Sequence, residues 1–231
     1  MCGRISLSTP ARVVAEHFGL AAVPELAPRW NVAPGQPVAI ARVRRSSGER
    51  ALELRRWGLV PPWARDASVG ARLVNAREES AAELPAFRRA FRERRCLVPA
   101  DGFYEWQTRG RRFRQPYRVV PADRGLLAIA GLYERWEGAA GERVDSCTLL
   151  TTRANEAIAR LHDRMPVILP REAWAVWLDP GEADPARLHA LLAASDPGAL
   201  EVHPVGPRVN DPRHDDPECA RPVPEIAPEL F

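Results

Sequence analysis

The second residue is where chemistry is first possible: the chain opens Met1-Cys2-Gly3-Arg4. Removal of a methionine that precedes a small residue leaves Cys2 at the terminus, with an amine and a thiol on adjacent carbons. An aldehyde condenses with such an amine to an imine, and the thiol then closes a five-membered thiazolidine. An α-amine suits this step because its reference pKa is about 7.8, against about 10.4 for lysine; roughly a third of it is neutral at pH 7.5. Composition sharpens the point, since all 33 residues in the Lys+Arg count are arginine. With no lysine to make a Schiff base, the terminus is the one protein amine available. Taken alone, the same terminus also reads as an ordinary second residue in an arginine-biased chain.

Three further clusters place polar residues in apolar or turn surroundings. In Val74-Asn75-Ala76-Arg77-Glu78, the Asn75 amide either points inward, to orient an amine or a sugar oxygen, or caps a helix starting near Ala76. In Pro99-Ala100-Asp101-Gly102-Phe103-Tyr104-Glu105-Trp106, a period-two strand puts Phe103 and Glu105 on one face, Tyr104 and Trp106 on the other. A carboxyl on an aromatic-lined face has its pKa raised and can serve as acid or base near neutrality. The competing reading is a surface glutamate paired with one of the many arginines. In Leu161-His162-Asp163-Arg164-Met165-Pro166-Val167, His162 is either a proton shuttle or a helix-terminal histidine held by Asp163.

Positioning these groups falls to short elements separated by turns. Thr9-Pro10 before Ala11–Phe18, with Gly19 after, predicts a capped helix. Pro37–Arg44 and Arg50–Trp57 alternate around Ser46-Ser47-Gly48 and predict a hairpin. Arg29–Gly35 reads as a turn-rich loop, Gly58–Ala71 as a loop around Pro61-Pro62-Trp63, and Phe87–Arg95 as a short helix. From Cys96 the pattern turns to strands, at Cys96–Val98, Phe103–Thr108, Arg112–Val120, Leu126–Trp136 and Ser146–Thr151. Gly110 and Asp123-Arg124-Gly125 supply turns between them. Helices are expected at Ala154–Leu161, Arg171–Leu178 and Pro185–Ala194, with a returning strand at Glu201–Val205. The tail after Asn210 is expected to wind over the surface. Residues 1–231 thus predict a single α+β domain, a strongly bent antiparallel β-sheet with a barrel-like core and flanking short helices.

The bulk properties exclude several function classes. A net charge of +3 is too mild for a polycationic protein, although arginines can still gather on one face. No apolar run approaches a membrane span and no signal core opens the chain, so a cytoplasmic protein is expected. Cys2, Cys96, Cys147 and Cys219 are widely spaced, without CxxC or His/Cys ligand spacing, and read as free thiols; no metal or cofactor is expected. No phosphate-binding glycine loop and no G-x-S-x-G elbow is present.

Together, Met1-Cys2-Gly3-Arg4, Trp57-Gly58-Leu59, Asn75-Ala76-Arg77, the Ala100–Trp106 run and His162-Asp163-Arg164-Met165-Pro166 resemble the SRAP family, the SOS-response-associated peptidases. The resemblance runs in consistent order from Cys2 to about Val205. It implies an enzyme that removes its own Met1 and crosslinks through Cys2 to abasic sites in single-stranded DNA, as a lesion-shielding thiazolidine. It implies catalytic roles for Cys2, Asn75, Glu105 and His162: nucleophile, positioning of the amine and opened sugar, acid or base, and proton shuttle. Gly3, Arg4, Trp63, Arg77 and Thr151 are implied on the DNA side, with Arg4 and Arg77 on phosphates and Trp63 stacked on a base. A monomer, nucleoid-associated once crosslinked, is expected. Two other classes remain open at this point. An N-terminal-nucleophile amidohydrolase or peptidase also begins with cysteine, and a non-covalent binder of modified single-stranded DNA needs no nucleophile.

Overall fold

A computed structural model describes residues 2–109 and 113–225; Met1 and the turn expected at Gly110 lie outside the described residues. The chain begins with a three-residue strand, β1 (Ile5–Leu7), followed by helix α1 (Ala11–Phe18). Gly19 ends that helix in the left-handed region, at φ 59°, where it donates its N–H back to the last turn. Strands β2 (Arg29–Val32), β3 (Pro37–Val43) and β4 (Arg50–Trp57) come next. A crossing loop then leads to β5 (Asn75–Arg77), α2 (Glu78–Ala81) and α3 (Arg88–Glu93). Five long strands carry the middle of the chain: β6 (Arg95–Ala100), β7 (Gly102–Arg109), β8 (Phe113–Pro121), β9 (Leu127–Glu137) and β10 (Arg143–Arg153). The rest comprises α4 (Glu156–Ala159), β11 (Arg164–Pro166), α5 (Trp174–Leu178), α6 (Pro185–Ala193) and β12 (Leu200–Pro204). Among the described residues no helix is long and apolar enough to cross a membrane.

The strands form two sheets. In one, β4, β3, β6, β9 and β10 are neighbours in that order and β10 pairs back onto β4, closing a five-stranded barrel; β5 and β11 continue from the far end of β10. The other sheet runs β12-β8-β7-β1-β2, so the first strand of the chain is an interior strand. The fold is the expected α+β class with a barrel-like core, but not every pairing is antiparallel. β10 pairs parallel with β4 (Ser146↔Arg56) and with β5 (Leu149↔Asn75). Both pairings join segments far apart in sequence, which local alternation cannot reveal.

Barrel strands bury both faces. Val38 and Ile40 of β3, Cys96 and Val98 of β6, and Cys147 and Leu149 of β10 pack in one cluster with Cys2 and Phe103. The alternate residues Ala39, Ala41, Leu97 and Leu150 face a second cluster, built with Phe18, Phe91, Trp174 and Trp177 of the helices. This two-sided burial is why Val38–Ala41 and Cys96–Val98 carry apolar residues at successive positions, beyond the alternation that marks β3 as a strand. Each fully buried Val, Leu or Ile contributes about 1.5–3 kcal/mol.

One expectation is corrected: Arg29–Val32 is strand rather than loop, because β2 pairs with β1 and because the Asp215 carboxylate accepts the Trp30 and Asn31 N–H groups at 2.6 and 2.9 Å. The described tail after Asn210 runs over the surface as expected and is anchored there: Asp215 also pairs with Arg29, Asn31 Nδ2 donates to the His214 carbonyl at 2.6 Å, and Cys219 is buried.

Candidate active site

Cys2 reaches the site as an extension of β1. The register Ile5↔Phe103 and Ser6↔Gly102 sets β1 antiparallel to β7, and the Tyr104 N–H donates to the Arg4 carbonyl at 2.9 Å. Continued toward the terminus, this ladder carries the first residues alongside Glu105. Cys2 is fully buried, and its carbonyl accepts a 2.7 Å hydrogen bond from Asn75 Nδ2. Burial pushes the Cys2 thiol well above the ordinary cysteine range, and the nearby Glu105 carboxylate adds to the shift. The thiol is therefore protonated at neutral pH. A thiol held in this form is a weak nucleophile.

Asn75 stands on β5, held to β10 by the pairs Leu149↔Asn75 and Thr151↔Arg77. It is strand, which overturns its reading as a helix cap: α2 starts at Glu78, with Arg77 at the cap position and no side-chain cap bond. The Asn75 Oδ1 atom is buried and has no hydrogen-bond partner among the described residues. An orphaned buried acceptor is costly, and this one belongs to the same amide that holds Cys2. Thr151 is buried behind it, its hydroxyl donating to the Ala76 carbonyl at 3.4 Å, while Arg77 points to solvent.

Glu105 is only 2 % exposed, so the surface-glutamate reading does not hold. Its face carries Phe103, as the strand period requires. Burial is the main force on its pKa, which rises to about 7, and the Asp163 carboxylate pushes the same way. Near neutrality Glu105 divides between acid and base forms.

His162 follows α4, half-buried, with its pKa lowered mainly by desolvation against the opposing pull of Asp163. Nδ1 lies 2.9 Å from the Arg164 N–H and 2.8 Å from Asp163 Oδ1. These contacts require opposite protonation: bare Nδ1 accepts from Arg164, while protonated Nδ1 donates to Asp163. The ring thus has a partner in either state, as a proton shuttle needs. Arg164 braces this turn, bonding Glu79 through both terminal nitrogens at 2.5 and 2.8 Å and donating to the Thr151 carbonyl at 2.5 Å.

The remaining residues divide. Gly3 is half-buried on the lead into β1. Arg4 Nη1 donates to Asn31 Oδ1 at 2.7 Å and to the Val209 carbonyl at 2.5 Å, and the guanidinium lies over the Trp106 ring, 5.6 Å from its centroid. Among the described residues only its Nη2 makes no hydrogen bond, so Arg4 spends most of its donors inside the protein. Trp63 is 62 % exposed, and its indole N–H donates to the Pro85 carbonyl at 3.3 Å. Its loop is cinched where Gly58 and Gly70 touch: a Cβ on Gly58, at φ 128°, would meet the Gly70 carbonyl oxygen at 2.6 Å. No described contact joins Trp63 to Cys2, Asn75, Glu105 or His162. Asn31, whose buried side chain ties Arg4 to the tail, carries no local signal; Trp-Asn-Val-Ala-Pro reads only as a turn.

Residues 1–212 match the family model described as SRAP, SOS response associated peptidase. The chain is 39% identical over 221 residues to the abasic site processing protein YoqW of Bacillus subtilis, covering 94% of this chain and 98% of that one. It is 31% identical over 271 residues to the abasic site processing protein HMCES of Rattus norvegicus, covering 96% of this chain and 76% of that one. A solved structure from Bacteroides thetaiotaomicron superimposes with a TM-score of 0.82 at 26% identity, covering 96% of this chain and 100% of that one. The family match takes in Cys2, Asn75, Glu105 and His162, and on that match the chain belongs to the SRAP family.

Proposed function

We propose that this protein processes abasic sites in single-stranded DNA by crosslinking to them through Cys2 after Met1 has been hydrolysed away. The observation that carries the proposal is the convergence on one terminal cysteine of a holding amide with an orphaned acceptor and a buried carboxyl poised near pH 7. The relatives named as abasic site processing proteins supply the substrate class. An abasic sugar rests mostly as a closed hemiacetal. Glu105 in its acid form protonates the ring oxygen, and His162 relays the hydroxyl proton, so that the aldehyde is released. The α-amine of Cys2 adds to C1′, the carbinolamine loses water, and an imine forms. The protonated thiol then adds to the imine carbon and its proton passes to nitrogen. The balance is aldehyde plus aminothiol giving thiazolidine plus one water. Asn75 Oδ1 is the acceptor for the amine N–H or an opened-sugar hydroxyl.

On the DNA side the reading assigns the exposed Arg77, Gly3 and the Nη2 of Arg4, with Trp63 as a stacking face, whereas Thr151 is fully buried and supports the β5 strand instead of touching a strand of DNA. Base stacking on an aromatic contributes about 1–3 kcal/mol without sequence preference. Trp63→Ala should therefore weaken non-covalent binding of single strands by roughly 5- to 150-fold. Binding should also fall with rising salt as phosphate contacts release counterions. Equal affinity of the variant and wild type across a salt series in fluorescence anisotropy would remove Trp63 from the interface.

Intact mass tests the central claim. Active protein should lack Met1, and incubation with an abasic oligonucleotide should add the oligonucleotide mass less one water. A fully crosslinking sample that retains methionine sinks the amine mechanism. Glutaminase activity without any DNA adduct would instead favour an amidohydrolase.

A further inference from the structure

Asp101 occupies the corner between β6 and β7, outside the catalytic group, with its side chain 12% exposed. One carboxylate gathers donors from three residues of the terminal segment, Ser6, Ser8 and Thr9. Oδ1 accepts from the Ser6 hydroxyl at 2.5 Å, and Oδ2 from the Ser8 N–H at 2.5 Å, the Ser8 hydroxyl at 2.8 Å and the Thr9 N–H at 3.1 Å. The Asp101 N–H returns a bond to the Ser6 carbonyl at 2.9 Å. Arg118, from β8, fixes the carboxylate on its other side at 3.0 Å. Burial alone would raise the Asp101 pKa, but the bonds from Ser6 and Ser8 outweigh it and hold the group below the usual carboxylate range. It is ionised throughout the neutral range.

Nothing in the chemistry of the crosslink uses this carboxylate, yet the segment it grips is the one that carries the nucleophile. β1 is three residues long, and chain ends of that length fray unless they are tied down. Cys2 lies four residues before Ser6, and a displacement of about 1 Å in a reacting atom can lower a rate 10²-fold. We propose that Asp101 is a positioning residue, clamping Ser6–Thr9 so that the Cys2 amine is presented to the substrate carbonyl in one geometry. This rests on the reading of Cys2 as the nucleophile.

Asp101→Asn is isosteric but sets an NH2 against donors on one side or the other. Three measurements separate positioning from simple structural support. With abasic single-stranded DNA at saturation, the first-order capture rate should fall at least about tenfold. Affinity for the same strand carrying a tetrahydrofuran in place of the abasic sugar, which has no aldehyde, should stay within about twofold. Reaction of the terminal aminothiol with a small free aldehyde should be unchanged or faster, because loosening the strand does not impair its chemistry. Ser8→Ala, which removes one hydroxyl from the clamp, should give a smaller fall of the same pattern, and serves if the first variant does not fold. Capture at the wild-type rate in both variants, or affinity falling in step with capture, overturns the proposal. Wild-type protein that reacts with the small aldehyde but never with abasic DNA overturns the functional reading, and the clamp with it.

Discussion

Cys2→Ser protein, with Met1 removal confirmed by mass, is expected to give an adduct with abasic single-stranded DNA that borohydride traps and heat destroys. The substitution keeps the α-amine and replaces the ring-closing thiol by a much weaker nucleophile. Imine formation needs only the amine, the carboxyl of Glu105 and the imidazole of His162, so the first half of the reaction survives. An open imine hydrolyses or drives β-elimination of the strand, whereas a closed thiazolidine resists both. Wild-type adduct should therefore persist on a denaturing gel after heating without reductant, and the variant adduct should vanish or leave a cleaved strand. The effect is all-or-none in heat-stable yield. A heat-stable variant adduct equal in yield to wild type would refute ring closure as the source of stability. The high thiol pKa fits this order of events, since a buried protonated thiol adds best once an iminium-like carbon lies beside it.

The second large effect concerns Glu105. General acid catalysis is worth about 10²–10⁴-fold, so Glu105→Gln should slow capture at pH 7 by at least about a hundredfold while both nucleophiles stay in place. The pH profile identifies the group. Capture needs the neutral amine, which accumulates above about pH 7.8, and the protonated carboxyl, which is lost above about 7. Wild type should give a bell centred near neutrality, and the variant a curve that only rises to a plateau. An alkaline limb that survives in Glu105→Gln belongs to another residue and removes Glu105 as the acid. Stability should move the other way. The folded-state pKa of about 7 exceeds the ordinary 4.5, so the folded protein binds this proton more tightly than the unfolded chain. Stability is then greatest below 4.5 with respect to this group and declines as pH rises through 7. Glu105→Gln abolishes that decline, and its melting temperature should exceed wild type at pH 8 but not at pH 5. A group that weakens the fold while accelerating the reaction is the ordinary signature of a functional carboxyl.

What sequence patterns could reveal follows from how local each signal is. The limits of α1 rest on Pro10 and Gly19, and the β3–β4 hairpin on alternation around a glycine turn; both are written within a dozen residues. The same holds for Glu105, whose burial on the Phe103 face needs only the two-residue period of β7. The strand identity of Asn75 is not local. It depends on a parallel partner more than seventy residues downstream, and with that partner hidden an asparagine before a helix looks like a cap. β2 was illegible for a similar reason, because its carbonyls and N–H groups are matched by β1 and by Asp215, from opposite ends of the chain. Arg4 shows the limit most clearly. Its residue type suits a phosphate, but the structure commits Nη1 to Asn31 and Val209, and no spacing in the chain announces that triangle.

The first strand to leave the ribosome is an interior strand of its sheet, and this sets a timetable. β1 must wait for β7, about a hundred residues later, and the Asn31 brace must wait for the segment around His214. Such distant pairings raise contact order and slow folding. At translation rates of about 5–20 residues per second, the nascent terminus stays unassembled for on the order of ten seconds or more. Until β5, β7 and the turn at His162 have been made, Asn75, Glu105 and His162 cannot all stand near Cys2. Ribosome-bound fragments that stop short of His162 therefore carry Cys2 without the full group proposed to serve it.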